Sequence, residues 1–201
     1  MYSQFGQDDW VLSKIKNIGF YVDIGANNGI SISNTYYMEK LGWQGICVEP
    51  NPESYKLLLQ NRKCICLDSC VDESVKIIDF YYGDSQEFGC TIVDNDTDAE
   101  KNLKEKNSLN QNNIIKLSTT TLEIILDKYK APKVIDYLSL DTEGSEQRIL
   151  RNFPFDKYSF KTITVERPKP ELRELLKNNG YTIDTSVHSY EDVFYLGPNF
   201  V

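Results

Sequence analysis

Between Phe20 and Thr35 the chain reads FYVDIGANNGISISNT, and no other stretch restricts the fold as tightly. Phe20-Tyr21-Val22 is short, apolar and rich in strand-favouring residues, which predicts a buried strand. Asp23 stands at its carboxyl end. Gly25, Asn27, Asn28 and Gly29 then predict a sharp turn, because glycine accepts the backbone angles that a turn demands. Ser33 or Asn34 is a suitable cap for a helix expected to run to about Lys40. A strand, a glycine turn and a helix start let backbone N–H groups approach a ligand. The dinucleotide fingerprint would read G-x-G-x-x-G, whereas this pattern is D-x-G-x-x-x-G. An acid ahead of the first glycine suits a cationic ligand better than a pyrophosphate. The sulfonium and α-amino group of S-adenosylmethionine (SAM) have that character.

A second acid follows 26 residues after Asp23. Gly45-Ile46-Cys47-Val48 predicts another buried strand, ending in Glu49 and then Pro50-Asn51-Pro52. An acid at the end of the second strand of a βαβ unit is positioned to accept both ribose hydroxyls. Taken together, the cofactor set read from this region is Asp23, Gly25, Asn27, Gly29, Ser33, Asn34 and Glu49. Each piece alone has a plain structural reading, as a turn or a solvated strand end; the spacing joins them into a nucleoside site.

The remaining chain continues the alternation. Ser3 to Ile18 predicts an amphipathic helix with Trp10, Val11 and Ile15 on one stripe. Asn51 opens a helix to about Asn61, with Pro52 in its first turn and Tyr55, Leu58 and Leu59 facing inward. Lys63 to Leu67 and Val75 to Tyr82 predict strands. From Gly83 to Asn113 the pattern breaks down into a polar, Asn-rich run without apolar period, read as a mobile insertion. Ile114 to Thr119 is a strand, followed by a helix capped by Thr120 or Thr121 that carries Leu122, Ile125 and Leu126. Val134 to Leu140 is a strong central strand ending in Asp141-Thr142-Glu143-Gly144, ahead of a helix through Leu150. Lys161 to Val165 is a strand ending in Glu166, Pro170 to Asn179 a helix closed by Gly180, and Tyr181–Thr185 with Val193–Leu196 an antiparallel pair. Ligands in open α/β sheets bind outside the carboxyl ends of the strands, so Asp141 falls in the same crevice as Asp23 and Glu49.

The whole, residues 1–201, reads as a single α/β domain: a mostly parallel central sheet with helices on both faces. No apolar run approaches the roughly 20 residues of a membrane span, and the first residues show no signal-peptide pattern. A net charge of −8 disfavours a nucleic-acid backbone as partner, since phosphate binding needs clustered Lys and Arg. Five cysteines, an odd number without a secretion signal, suggest reduced thiols and a cytoplasmic setting. Cys64-x-Cys66 lacks zinc-site spacing, and the cysteines read as small buried hydrophobes.

The segments GFYVDIGANNGISISNT, LGWQGICVEPNPESY and IDYLSLDTEGSEQRIL, with YSQFGQDDWVL at the start, resemble the FkbM-type methyltransferases in order and spacing, from Tyr2 to about Leu150. The resemblance implies a class I, Rossmann-like SAM-methyltransferase fold. It also implies methyl transfer to a hydroxyl of a sugar or related small molecule, free, nucleotide-linked or in a glycan, with S-adenosylhomocysteine as product. It sets residues 1–18 over the cofactor cleft and the 83–113 insertion near the acceptor pocket. In such a fold Asp68 and Ser69 stand where the adenine lies.

A sugar hydroxyl is a poor nucleophile at neutral pH, so a general base helps the transfer. Asp141, Glu143, Glu166 and the lone histidine, His188, are the candidates, Asp141 foremost and also as a cofactor contact. Gln4, Gln7, Tyr82 and Glu166 are candidates for touching the acceptor. Asp141, Glu143 and Glu166 together are the one set that would gather Mg²⁺; the reading here is of no metal. The competing readings are an RNA 2′-O-methyltransferase, which would want a basic channel, and a SAM-binding module without catalysis. A dehydrogenase is disfavoured by the missing fingerprint. Acceptor identity and oligomeric state are not encoded in any motif.

Overall fold

A computed structural model describes residues 2–82, 91–92, 111–187, 189, 192–198 and 200. In chain order these form α1 (Gln7–Lys14), β1 (Phe20–Ile24), α2 (Tyr36–Lys40), β2 (Gln44–Val48), α3 (Pro52–Asn61), β3 (Ile65–Leu67), β4 (Cys70–Val71), β5 (Ile77–Tyr81) and β6 (Thr91–Ile92). They continue as β7 (Ile114–Thr120), α4 (Leu122–Lys128), β8 (Val134–Leu140), α5 (Glu146–Arg151), β9 (Ser159–Glu166), α6 (Pro170–Asn178), β10 (Thr182–Ile183) and β11 (Asp192–Leu196).

Seven strands make the main sheet, in the order β10-β11-β9-β8-β1-β2-β3. The five from β9 to β3 run parallel, and β11 is antiparallel to both β9 and β10. The chain moves outward from β1 to β2 to β3, then returns to place β8 on the other side of β1. That reversal opens a crevice at the carboxyl ends of β1 and β8, where Asp23 and Asp141 emerge. β4, β7, β5 and β6 form a second, four-stranded sheet.

Side chains alternate across a strand, and the two faces of the sheet are covered by different helices. Val22, Ile24, Ile46, Val48, Leu138, Leu140, Ile163 and Val165 pack with Leu122 and Leu126 of α4, Ile149 of α5 and Leu172 and Leu176 of α6. The opposite face sets Tyr21, Cys47, Tyr137 and Phe194 against Trp10 and Val11 of α1, Met38 of α2 and Leu58 of α3. Asp23 lies on this second face, level with Cys47 and Ser139.

Several elements differ from the sequence expectation. α1 is only Gln7–Lys14, because Gly6 ahead of it is left-handed (φ 80°) and Ile15 after it is extended. α2 starts at Tyr36: the Ser33 hydroxyl accepts from the amides of Thr35 and Tyr36, so the chain turns once more before the helix begins. Leu59 is 53% exposed, and α3 faces inward through Ser54 and Leu58 instead. Within the 83–113 stretch, Thr91–Ile92 pairs with β5 and 111–113 form a single 3-10 turn; residues 83–90 and 93–110 lie outside the described set.

Behind the glycine turn lies a buried arginine. Arg62 caps α3 and sends its guanidinium under the loop. There Nε donates to Glu39 (2.8 Å), Nη1 to the Gly29 carbonyl (3.1 Å) and the Ser33 hydroxyl (3.3 Å), and Nη2 to Tyr21 Oη (2.8 Å) and Thr35 Oγ1 (3.0 Å). Gly29 is left-handed, and a Cβ there would press on the Arg62 and Leu58 side chains. Removing one partner of a buried charge network costs about 3–5 kcal/mol, so Arg62→Ala is expected to lower unfolding free energy in urea by about that much. Lys56→Ala, which breaks an exposed pair with Glu53, is the control and should cost under about 1 kcal/mol.

Candidate active site

The crevice between β1 and β8 is a cavity of about 370 Å³, within the range of small-molecule sites. Asp23 of β1 and Gly25, Ala26 and Asn27 of the loop after it form its floor, with Ser31, Ser33 and Asn34 beyond them. Glu49 and Ser54 come from the β2–α3 side, Asp141, Thr142, Glu143 and Ser145 from the loop after β8, and Glu166 and Arg167 from the end of β9. Phe80 and Ile92 of the second sheet and Gln4 of the N-terminal segment close its rim.

The floor is shaped by close backbone crossing. Gly25 N and Ala26 N both donate to the Val48 carbonyl, and Asp141 N donates to Ile24 O. Gly25 is left-handed (φ 89°), and a Cβ there would run into the Asp141 carbonyl. Only glycine permits this approach. Asp23 is buried and accepts from the Thr35 hydroxyl (2.6 Å). Burial pushes its carboxyl up, against the pull of Thr35 and Arg62. Asn34 donates to Ser139 Oγ (3.0 Å), while its buried side-chain oxygen has no hydrogen-bond partner among the described residues. An acceptor left so on a cavity wall calls for a donor from the cavity itself.

Glu49 accepts the Asn27 amide (2.8 Å) on one oxygen and the Asn51 amide (2.7 Å) on the other. Each oxygen keeps a second lone pair for a ligand hydroxyl. Burial raises its pKa to about 7 despite those two amides.

At the other end Asp141 and Glu166 share a hydrogen bond across neighbouring strand ends. Burial and then the Glu166 charge drive Asp141 well above the carboxylate range, so it is the member that keeps the proton. Burial and the nearby Glu143 charge lift Glu166 to about 7. Glu143 sits at a left-handed position (φ 56°), where the chain turns sharply into α5. The loop is held by Glu146, which accepts from the amides of Thr142 (2.9 Å) and Gly144 (3.2 Å) and from the Thr142 hydroxyl (2.9 Å).

The remaining candidates fall elsewhere. Gly29 packs behind the loop on Arg62. Asp68 is exposed and off the cavity wall, which its neighbour Ser69 reaches. Gln7 is buried outside the cavity and donates to Asp192, which pairs in register with Glu166. Tyr82 hydrogen-bonds the Asn112 carbonyl (3.1 Å), away from the wall. His188 lies outside the described residues. Among the described residues, no group of three or more His, Cys, Asp or Glu side chains is arranged to hold a metal ion, and no helix is long and apolar enough to cross a membrane. Arg167, Phe80 and Ile92 are among the wall residues that sequence reading missed. Arg167 adjoins a residue already singled out, but nothing local marks the other two, because the second sheet brings them in.

A sheet of this order, with acids at the ends of its first two strands and a carboxyl pair beyond its fourth and fifth, defines a class I, Rossmann-like methyltransferase domain. The chain belongs to the FkbM methyltransferase domain family, which matches residues 23–183. No curated protein matches the chain in sequence. A crystal structure from Pyrococcus horikoshii that carries the name of an RNA methyltransferase is similar at 14% identity and a TM-score of 0.44, over 94% of this chain and 80% of that one. That likeness is too distant to speak to the acceptor.

The raised carboxyls have a thermodynamic consequence. Glu49 keeps its proton in the fold up to about pH 7 but loses it in the unfolded chain near 4.5, so stability is highest below 4.5 and declines as pH rises to 7. Asp23, Asp141 and Glu166 act in the same direction. The ligand-free protein is expected to have a lower Tm at pH 8 than at pH 5, and Glu49→Gln should remove up to about 3 kcal/mol of that decline. A Tm that rises over this interval would contradict the burial argument.

Proposed function

We propose that this protein is a SAM-dependent O-methyltransferase acting on a hydroxyl of a sugar, free, nucleotide-linked or within a glycan. The observation that carries the reading is the Asp141–Glu166 carboxyl pair, which shares the cavity with the two nucleoside acids Asp23 and Glu49.

The residues fit the cofactor. Asp23 and the unpartnered Asn34 oxygen accept from its ammonium group and offset its positive charge, and Glu49 accepts from the ribose hydroxyls. Ala26 and Ser69 complete that wall, and the bare backbone at Gly25 leaves room where a side chain would intrude. When bound, SAM supplies an electrophilic methyl group on a sulfonium with a neutral thioether to leave. Glu166, half ionised near pH 7, takes the proton of the acceptor hydroxyl as the new C–O bond forms. Asp141 holds Glu166 through their shared hydrogen bond and orients the acceptor.

A polyanionic acceptor is a poor match. Among the described residues, five acidic side chains line the cavity, Asp23, Glu49, Asp141, Glu143 and Glu166, against one basic side chain, Arg167. An RNA strand would meet repulsion where counterion release has to supply the affinity.

Calorimetry with SAM and S-adenosylhomocysteine is the first test. Both are expected to bind, and Glu49→Ala should weaken them by about 1–3 kcal/mol; no binding of either would end the methyltransferase reading. A screen of sugars and glycans for methyl transfer then supplies the acceptor. With it in hand, Glu166→Gln should lower kcat by about 10²–10⁴ while SAM affinity changes little, and wild-type kcat should rise with pH through about 7.

A further inference from the structure

On the far side of β2 and β3 from the main hydrophobic core, three thiols meet. Cys64 Sγ lies 3.5 Å from Cys47 Sγ and 3.9 Å from Cys66 Sγ. Cys47, in the middle of β2, is wholly buried, and Cys66 is its partner in register on β3. Cys64 is half-buried and forms part of the wall of a second surface groove of about 550 Å³, together with Tyr36, Glu39, Trp43 and Lys63. One thiol is therefore open to small molecules from outside, with a second in van der Waals contact behind it. The three are not arranged to hold a metal ion.

We propose that Cys64 is a site of oxidative modification, attacked by a hydroperoxide entering this groove and then resolved by Cys47 as a Cys64–Cys47 disulfide. In the first step the Cys64 thiolate attacks the outer peroxide oxygen. The S–O bond forms, the O–O bond breaks, and the leaving oxygen takes a proton to depart as water or an alcohol. In the second the Cys47 sulfur attacks the sulfenic sulfur. The S–S bond forms, the S–O bond breaks, and the departing hydroxide leaves as water with the Cys47 proton. The two sulfurs give up two electrons and the peroxide bond receives them.

The surroundings favour this order. Cys64 interacts with Tyr21 and Asp23 from β1, Cys47 from β2, Cys66 from β3 and Arg62 just ahead of it, and it shares its groove wall with Glu39 from α2 and Lys63. Hydrogen bonding with Cys47 and then Cys66, together with the Arg62 charge, holds the Cys64 thiol far below the usual range, while burial holds Cys47 well above it. The thiolate, which is the nucleophile, is thus the half-buried member on the groove wall, and the resolving thiol is the fully buried one. Cys47 is the preferred resolver because its sulfur is the nearer of the two, at 3.5 Å against 3.9 Å for Cys66.

Peroxide titration of the intact protein followed by peptide mass mapping tests the assignment, and its readout depends on neither cofactor nor methyl transfer. At the lowest peroxide dose a reducible Cys47–Cys64 link is expected before Cys70 or Cys90 is oxidised, and iodoacetamide at pH 6 should alkylate Cys64 about tenfold faster than Cys70. In Cys47→Ser, dimedone should trap sulfenic acid at Cys64. A first link between Cys64 and Cys66, or oxidation of other cysteines while Cys64 stays intact, would overturn it; the wild-type map alone decides this if the variant fails to fold.

Discussion

A guanidinium carries five N–H groups in a rigid plane, and Arg62 directs them at two ends of the loop that turns out of β1 and at the residues that flank it. It reaches the Gly29 carbonyl, the hydroxyls of Ser33, Thr35 and Tyr21, and the Glu39 carboxylate. Thr35 in turn donates to Asp23. Loops rarely hold backbone angles as unfavourable as those of Asn27 and Ile32, both at positive φ, without such support. A planar, permanently charged donor set fixes a loop in a way that a lysine at the same place would not. The position of Asp23, and hence the near end of the cavity, depends on this buried network.

A second ion pair steadies the far end. Asp72, fully buried just after β4, takes two guanidinium contacts from Arg148 on α5. The pair ties the small sheet to the helix whose first residue, Glu146, gathers the amides of the loop carrying Asp141 and Glu143. Between these two anchored loops the protein concentrates carboxyl groups in a poorly solvated cavity. Their mutual repulsion and burial raise their proton affinity, so they are costly to ionise without a ligand. The same burial makes the cavity receptive to a cation and leaves two carboxyls, Glu49 and Glu166, titrating at about pH 7. Function and stability therefore pull in opposite directions at this site.

Much of the fold was legible because the relevant forces are local or periodic. Val134–Leu140 follows from a mostly apolar, strand-favouring run, Asn51-Pro52 from capping chemistry, and the parallel order from strands that alternate with helices. Asp23, Gly25, Glu49 and Asp141 were legible as a set because each ends a strand and strand ends gather on one edge. Asp68 and Tyr82 also follow strand ends but do not line the cavity: Asp68 is exposed just after β3, and Tyr82, just after β5, donates its hydroxyl to the Asn112 carbonyl.

What the sequence determined by itself was the alternation of strands and helices, the acids at the strand tips and the glycines where backbones cross, since each depends on a residue and its near neighbours. What only the tertiary structure decided was which polar and charged groups meet: Arg62 with Glu39, Arg148 with Asp72, Gln7 with Asp192, and Asp141 with Glu166. These partners come from different elements, from 23 residues apart for Arg62 and Glu39 to 185 for Gln7 and Asp192. A lone Arg or Asp carries no local sign of its partner. Electrostatic pairing is set by distance in space and by burial, and both exist only once the sheet has formed.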